Sequence, residues 1–425
     1  MTEINFAELE RRDAADPLAE LRNHFVIPKN TVYLDGNSLG LLTHATQRRV
    51  ADVTGQQWGQ DGISSWNQHG WVHLPRTVGD KLAPIIGAQP GQVICCDSIS
   101  VNLFKALSAA FTVLDARGES RRARKQVLST ADNFPTDLYM VQGLQQLVGA
   151  ENCELVLAEE AELLANLAHH ITAETAIVML TEVNFRSGRR LPMAEIIQQA
   201  HAVGAVVIVD LAHSAGALPV ELDEWQADFA VGCTYKYLNG GPGAPAFIYV
   251  AERHLPTVTQ PLSGWFGHAQ PFAFDATFAA ATGIEKMLSG TPSILAMSAV
   301  DAALDAFSDV SMEQVREKSV QLAEVFLALL DESGLAGEFD CISPLDSEQR
   351  GSQLSFAHPE AYAICQALIE RKVIADFRAP NYLRFGFTPL YTSFKDVGLA
   401  LQRLQEIMQT RTYLEPRFQT RQAVT

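Results

Sequence analysis

The apolar run Ala205–Val209 ends in Asp210, and His213 follows a few residues on. A second apolar run, Phe229–Cys233, leads into Thr234-Tyr235-Lys236-Tyr237 and then into Leu238-Asn239-Gly240-Gly241-Pro242-Gly243. A lysine in an aromatic, glycine-rich loop directly after an apolar strand is poorly explained as a solubilising charge. Partial burial lowers the pKa of such an amine and leaves it free to attack a carbonyl as a Schiff-base nucleophile. An ionised Asp at the C-terminal end of a parallel strand stands where open α/β sheets bind ligands. Taken singly, Lys236 reads as a surface residue, Asp210 as a helix cap and His213 as a satisfied core histidine. Together they read as a site.

A carboxylate so placed is what a pyridoxal cofactor requires at its pyridine nitrogen, because the protonated ring is the better electron sink. Upstream, Ser98-Ile99-Ser100-Val101-Asn102 follows the run Val93–Cys96 and precedes the apolar pattern Leu103–Phe111. Small hydroxyl residues with free backbone N–H groups at a helix start form an anion cradle suited to a cofactor phosphate. Other polar groups read blandly. His69 and His73 have the spacing of metal ligands, but no carboxylate is evident beside them, and no metal site is expected. His169-His170 point apart on a helix, and Cys95-Cys96 reads as strand packing. Arg117, Arg121, Arg122, Arg124 and Lys125 read as a solvated basic loop. Trp265, between glycines, suits an exposed ligand-facing loop.

The elements that must position these residues follow from periodicity. Val93–Cys96, Gln126–Ser129, Glu154–Leu157, Ala176–Leu180, Ala205–Val209, Phe229–Cys233 and Ala246–Val250 are short, β-branched and separated by helical patterns. Continuous apolar strands separated by helices imply a mostly parallel sheet buried on both faces, an α/β layer. Glu195–Val203 reads as one of the connecting helices, ended by Gly204. After about residue 293 the pattern changes: a long amphipathic helix Met312–Leu330 opened by a Ser311/Gln314 capping box, short strands at Gln353–Phe356, Val373–Phe377 and Tyr382–Phe385, and a final helix Phe394–Met408. The expected division is an N-terminal helix and arm over 1–45, a large α/β domain over 46–292 with a seven-stranded sheet, and a smaller α+β domain over 293–425.

The 425 residues carry a formal charge of −17, from 49 acidic and 32 basic side chains. That sign opposes nucleic-acid binding and attraction to anionic membranes. No apolar run reaches the roughly 18 residues a spanning helix needs. Met1–Leu18 lacks a basic stretch followed by an apolar core, so no secretory signal is expected. Six scattered cysteines without a CxxC read as reduced thiols of a cytoplasmic protein.

Asp210 and His213 followed by Tyr235-Lys236 resemble the fold-type-I pyridoxal-phosphate enzymes of the class V aminotransferase superfamily. Within it, the chain resembles the kynureninase family in Gly36-Asn37-Ser38-Leu39-Gly40, Phe134-Pro135-Thr136-Asp137, Leu262-Ser263-Gly264-Trp265-Phe266-Gly267-His268 and Leu383-Arg384-Phe385-Gly386. The resemblance implies a homodimer that hydrolyses L-kynurenine, and less well 3-hydroxykynurenine, to anthranilate or its hydroxylated form and L-alanine in tryptophan catabolism. It also implies roles. Lys236 would hold the cofactor and shuttle protons with Tyr235, Asp210 would pair with the pyridine nitrogen near His213, and Phe134 would stack on the ring. Ile99, Ser100, Pro135, Thr136, Asp137, Thr181, Trp265 and Thr291 would complete the cofactor site, with Trp265 and Thr291 coming from the neighbouring subunit. Ser38, Trp66, Gly290, Thr291 and Arg384 would face the substrate, Arg384 clamping its carboxylate; Trp71 is a rival to Trp66 as the aromatic wall. Two departures stand out: Ile99-Ser100 where other members read Leu-Thr, and Thr291 where some carry Asn. The competing readings are an aminotransferase or cysteine desulfurase on the same fold, or a non-catalytic cofactor-binding protein. A desulfurase needs a mobile cysteine after the lysine, and only Cys341 and Cys365 are available.

Overall fold

The seven apolar runs form one sheet in the computed structural model, which describes residues 4–118 and 124–421; Arg121 and Arg122 of the basic loop lie outside the described residues. After a short β1 (Val32–Tyr33) come β2 (Val93–Cys95), β3 (Gln126–Thr130), β4 (Glu154–Ala158), β5 (Thr175–Thr181), β6 (Val206–Asp210), β7 (Phe229–Gly232) and β8 (Phe247–Val250). Their spatial order is β2-β8-β7-β6-β5-β3-β4, and only β8 runs against its neighbours. Val206–Val209 and Ala176–Leu180 are wholly buried, with a hydrophobic cluster on each face of the sheet. This is the physical reason the central strands are apolar at every position rather than at alternate ones. Polar residues enter where β5 and β6 end, at Thr181 and Asp210, and the two are register partners.

Ser98 caps the helix Ile99–Ala116 by accepting a hydrogen bond from the Val101 N–H. That helix is 18 residues long and, by length and composition alone, apolar enough to cross a membrane, although Asn102, Lys105 and Asp115 leave it no uninterrupted apolar run of that length. Lys105 and Asn102 interrupt its apolar pattern yet are buried, along with Leu103, Ala106, Leu107 and Leu114. It packs on the sheet as a core helix of the fold.

A second core joins helix Met312–Glu332 to a smaller antiparallel sheet. Its strands are β9 (Asp340–Cys341), β10 (Gln353–Ala357), β12 (Asp376–Arg378) and β13 (Tyr382–Gly386), in the order β12-β13-β10-β9. The single strand expected over Val373–Phe377 is divided: β11 (Val373–Ile374) pairs with β1, and the chain then crosses to β13. The crossing sets Asp376 directly opposite Arg384, and that pairing explains why a charged residue follows the apolar run. Capping boxes open both Met312–Glu332 and Phe394–Thr410, the first at Ser311/Gln314 as its spacing predicts. Helix Phe6–Ala15 packs on Phe394–Thr410, whereas Ile294–Ala303 packs on His44–Asp52 and Leu74–Leu82 beside the large sheet.

Candidate active site

Lys236 lies in the loop after β7, and its Nζ is 2.9 Å from His213 Nε2. Burial, followed by the charge on Lys236, holds the His213 imidazole well below its ordinary pKa. The ring is therefore neutral and accepts the lysine's proton in this hydrogen bond. Asp210, the last residue of β6, is 2% exposed and accepts from the Ala212 N–H at 2.7 Å. Asp137, in the first turn of helix Pro135–Val148, is 1% exposed. Thr181 Oγ1 lies 3.4 Å from a carboxylate oxygen of each, and 2.5 Å from Asn133 Oδ1. Burial raises the pKa of both acids, and for Asp137 the nearby Asp210 adds to it. Two buried carboxylates this close resist ionising together. A protonated ring nitrogen is the kind of partner that would relieve them.

The cradle expected at Ser98–Ser100 opens onto a cavity of about 560 Å³. Its lining includes Ile99, Ser100, Phe134, Thr136, Tyr235, Gly290 and Thr291. Pro135 starts its helix and does not line the cavity; its ring suits a first helical position, where no N–H is needed. Phe134 is 42% exposed and meets the edge of Phe185 at a centroid distance of 5.2 Å. The N-terminal arm closes on the lysine loop: Gly40 N–H donates to Tyr235 O at 2.8 Å. A Cβ at Gly40 would lie 2.3 Å from Lys236 O, so the close approach requires glycine there.

Arg384 is 1% exposed and held from several sides. Nε donates to Asp376 Oδ1 at 2.7 Å, Nη2 to the other Asp376 oxygen and to Ser38 Oγ at 3.3 Å, and Nη1 to Phe185 O. Ser38 in turn donates to Asp376 Oδ2 at 2.5 Å. Arg378 completes the group, with Nη2 2.9 Å from Asp376 Oδ2 and 3.2 Å from Ser38 Oγ. Asp376, Arg378 and Phe185 were missed in the sequence. The i, i+2 alternation of Asp376 and Arg378 on one strand face was the available signal.

Trp265 does not line this cavity; it is 37% exposed and packs with Phe266, Phe272 and Phe274. Trp66 is half-buried, edge-on to Trp71 at 5.8 Å and against Phe266 at 5.9 Å. Trp71 is buried, and its indole N–H is taken by Gln57 at 2.7 Å. His69, expected to lack a carboxylate neighbour, bonds Asp61 at 2.8 Å; among the described residues no cluster of three or more potential ligands forms. Cys365 is buried in helix Ala361–Glu370 with its thiol pushed well above the ordinary range by burial. Cys341 sits on β9 with its pKa also raised by burial. Neither is a poised nucleophile.

A lysine, an aspartate and a histidine gathered at the ends of adjoining strands, beside a helix-start cradle, stand on a fold shared with enzymes of sulfur amino-acid chemistry. The chain superimposes on a lysine variant of C-DES with glycine covalently linked to its PLP cofactor, at a TM-score of 0.77 and 19% identity, covering 91% of this chain and 99% of that one. The cysteine desulfurase of Thermococcus onnurineus NA1 matches at a TM-score of 0.75 and 19% identity, covering 92% and 98%. Sequence relatives are much nearer. The Kynureninase of Burkholderia pseudomallei (strain 1106a) is 48% identical over 416 residues, 97% of this chain and 98% of the relative. That of Pseudomonas fluorescens is 44% identical over 413 residues, with the same coverage. Residues 315–404 match the family model of the Kynureninase C-terminal domain. The chain belongs to the kynureninase family.

Proposed function

We propose that the chain holds pyridoxal 5'-phosphate on Lys236 and hydrolyses L-kynurenine to anthranilate and L-alanine, acting less well on 3-hydroxykynurenine. The observation that carries this is the Lys236 amine, 2.9 Å from a neutral His213 and beside the buried Asp210/Asp137 pair, in a chain 48% identical to a relative named Kynureninase. The residues fit the cofactor. Asp137 Oδ1 is buried with no hydrogen-bond partner among the described residues. At the start of helix Ile99–Ala116 the Ile99 and Ser100 N–H groups, unlike those of Val101 and Asn102, have no partner among the described residues and suit a phosphate. Bound there, the cofactor supplies the electron sink for charge that develops at the substrate Cα.

This chain's residues do the rest. Asp210 would keep the ring nitrogen protonated, with Thr181 and Asp137 beside it. Lys236 would hold the cofactor, and its Nζ would serve as the base that takes the substrate Cα proton and returns it. Water adds to the γ-carbonyl, the Cβ–Cγ bond breaks, and the acyl half leaves as anthranilate with the oxygen from water. Cβ and then Cα are reprotonated to give alanine. Burial raises the Tyr235 hydroxyl above its ordinary pKa, so it stays protonated and suits the donor's part.

The working unit in this reading is a homodimer of a cytoplasmic enzyme. Its support is the exposed aromatic group Trp265, Phe272, Phe274 and Phe278 beside the cavity loop, and six unpaired cysteines. The division into 1–45, 46–292 and 293–425 belongs to the same reading. The second core supports a small domain from Leu322 on, whereas Met297, Val300, Leu304 and Phe307 pack in the core of the large sheet, which argues for a later boundary than 293. Incubating the holoenzyme with L-kynurenine tests the function: anthranilate fluorescence should rise, while L-cysteine should yield no sulfide. Sulfide without anthranilate would favour the desulfurase reading instead.

A further inference from the structure

The guanidinium of Arg384 has five N–H donors. Four are engaged: Nε and one Nη2 hydrogen with Asp376, the other Nη2 hydrogen with Ser38, and one Nη1 hydrogen with Phe185 O. One donor is left, on a side chain 1% exposed and already neutralised by a bidentate carboxylate. Arg378, on the neighbouring strand β12, differs. Its side chain is 38% exposed, and it shares Asp376 rather than owning it. Nη1 donates to the adjacent Phe377 O at 2.9 Å. Nε and the second Nη1 hydrogen have no partner among the described residues. The charge of Arg378 is felt by both His213 and Tyr235, the groups that flank Lys236, so it lies within electrostatic reach of the reacting centre.

We propose that Arg378 is the second and more accessible arm of the clamp for the substrate α-carboxylate, with Arg384, Asp376 and Ser38 bracing it. The inference rests on the amino-acid substrate class of the proposed function. One carboxylate shared by two arginines leaves the group a positive charge that a ligand carboxylate would balance, provided Asp35 is protonated. Asp35 is half-buried with its Oδ1 fully enclosed, beside Asp376, Tyr33, Tyr237, Tyr391, Cys365 and both arginines, and desolvation together with the Asp376 charge pushes it up to about 7. Its proton completes the match below that pH. Two guanidinium edges on one carboxylate also discriminate against a bare amine, which offers them nothing to bind.

The test uses the holoenzyme and reads binding from the cofactor's absorbance, with L-alanine and its decarboxylated counterpart ethylamine as probes. Arg378→Gln should weaken L-alanine by about 10- to 100-fold, the range for losing a hydrogen bond to a charged group, and leave ethylamine within about 2-fold. Arg378→Lys should recover part of the loss. With L-kynurenine, KM should rise by a similar factor while kcat stays within about 3-fold, as for lost uniform binding. A merely structural role would weaken both probes alike, and that result, or unchanged L-alanine affinity, overturns the proposal. Wild type that discriminates through Arg378 but releases no anthranilate from L-kynurenine would sink the functional reading alone. Wild type that cleaves L-kynurenine but whose Arg378→Gln variant keeps its L-alanine affinity would sink this inference alone.

Discussion

Around the Lys236 amine stand a neutral imidazole and two buried carboxylates, and this combination is unstable in its own right. Asp137 and Asp210 both have raised pKa values because burial penalises their charge, so the pocket gains most by admitting a cation between them. Asp210→Asn should therefore reduce turnover on the order of 100-fold or more, the scale for losing one designed electrostatic partner. The cofactor should stay bound through the phosphate cradle; near-normal turnover would assign the pyridine nitrogen to another group. Borohydride should fix the cofactor on Lys236, found by peptide mass analysis, and a label on another lysine would refute the assignment. In the proposed reading Trp66 and Thr291 bear on substrate choice; Thr291 lines the cavity, whereas Trp66 packs between Trp71 and Phe266. An indole wall offers an added 3-hydroxyl little to bond, so L-kynurenine should be preferred by about 5- to 150-fold in kcat/KM. Trp66→His with Thr291→Asn should narrow that gap, and equal or reversed preference in the wild type would mean the pocket is misread. Asp210, His213 and Lys236 were legible because each breaks an apolar or glycine-rich pattern. Arg384 was legible through the family resemblance, but its partners Asp376 and Arg378 were not, because they meet it only across two strands.

At the scale of elements, β7 is entered through a buried carboxylate that the mechanism does not use. Asp228 is 1% exposed and is bonded by His201 at 2.8 Å, His254 at 2.7 Å, Arg253 at 2.7 Å and the Val207 N–H at 2.8 Å. Those partners hold its pKa below the usual carboxylate range, despite burial. A depressed carboxylate contributes stability above its unfolded pKa and loses it as pH falls through the folded one. Asp228→Ala should thus cost about 3–5 kcal/mol near neutral pH, as for a broken buried ion pair. Denaturant midpoints should show the cost shrinking as the wild type is acidified toward pH 2; a cost below about 1 kcal/mol at pH 7 would assign the cluster no such role. The strands themselves were legible because both faces of the sheet are buried. The split of Val373–Phe377 was not, because a change of sheet partner leaves the local pattern of apolar residues unaltered.

Across the whole molecule, the chain encloses a cavity and leaves the aromatic side chains of Trp265, Phe272, Phe274 and Phe278 exposed outside it. Trp265 is held by Phe266, Phe272 and Phe274, and Gly264 packs so closely on Ser289 that a Cβ there would lie 2.1 Å from its carbonyl oxygen. The loop bearing Trp265 is thereby tied to the loop bearing Gly290 and Thr291. Light scattering at assay concentrations should report a dimer; a fully active monomer would remove the proposed shared site. The fold class was readable from strand and helix spacing, whereas the placing of Trp66, Trp71 and Trp265 depends on contacts remote in sequence. The most direct test of the central claim is a product count. Wild-type holoenzyme given L-kynurenine should release anthranilate and L-alanine in equal amounts, and folded Lys236→Ala should release neither. Equal yields from the two proteins, or no anthranilate from the wild type, would contradict it.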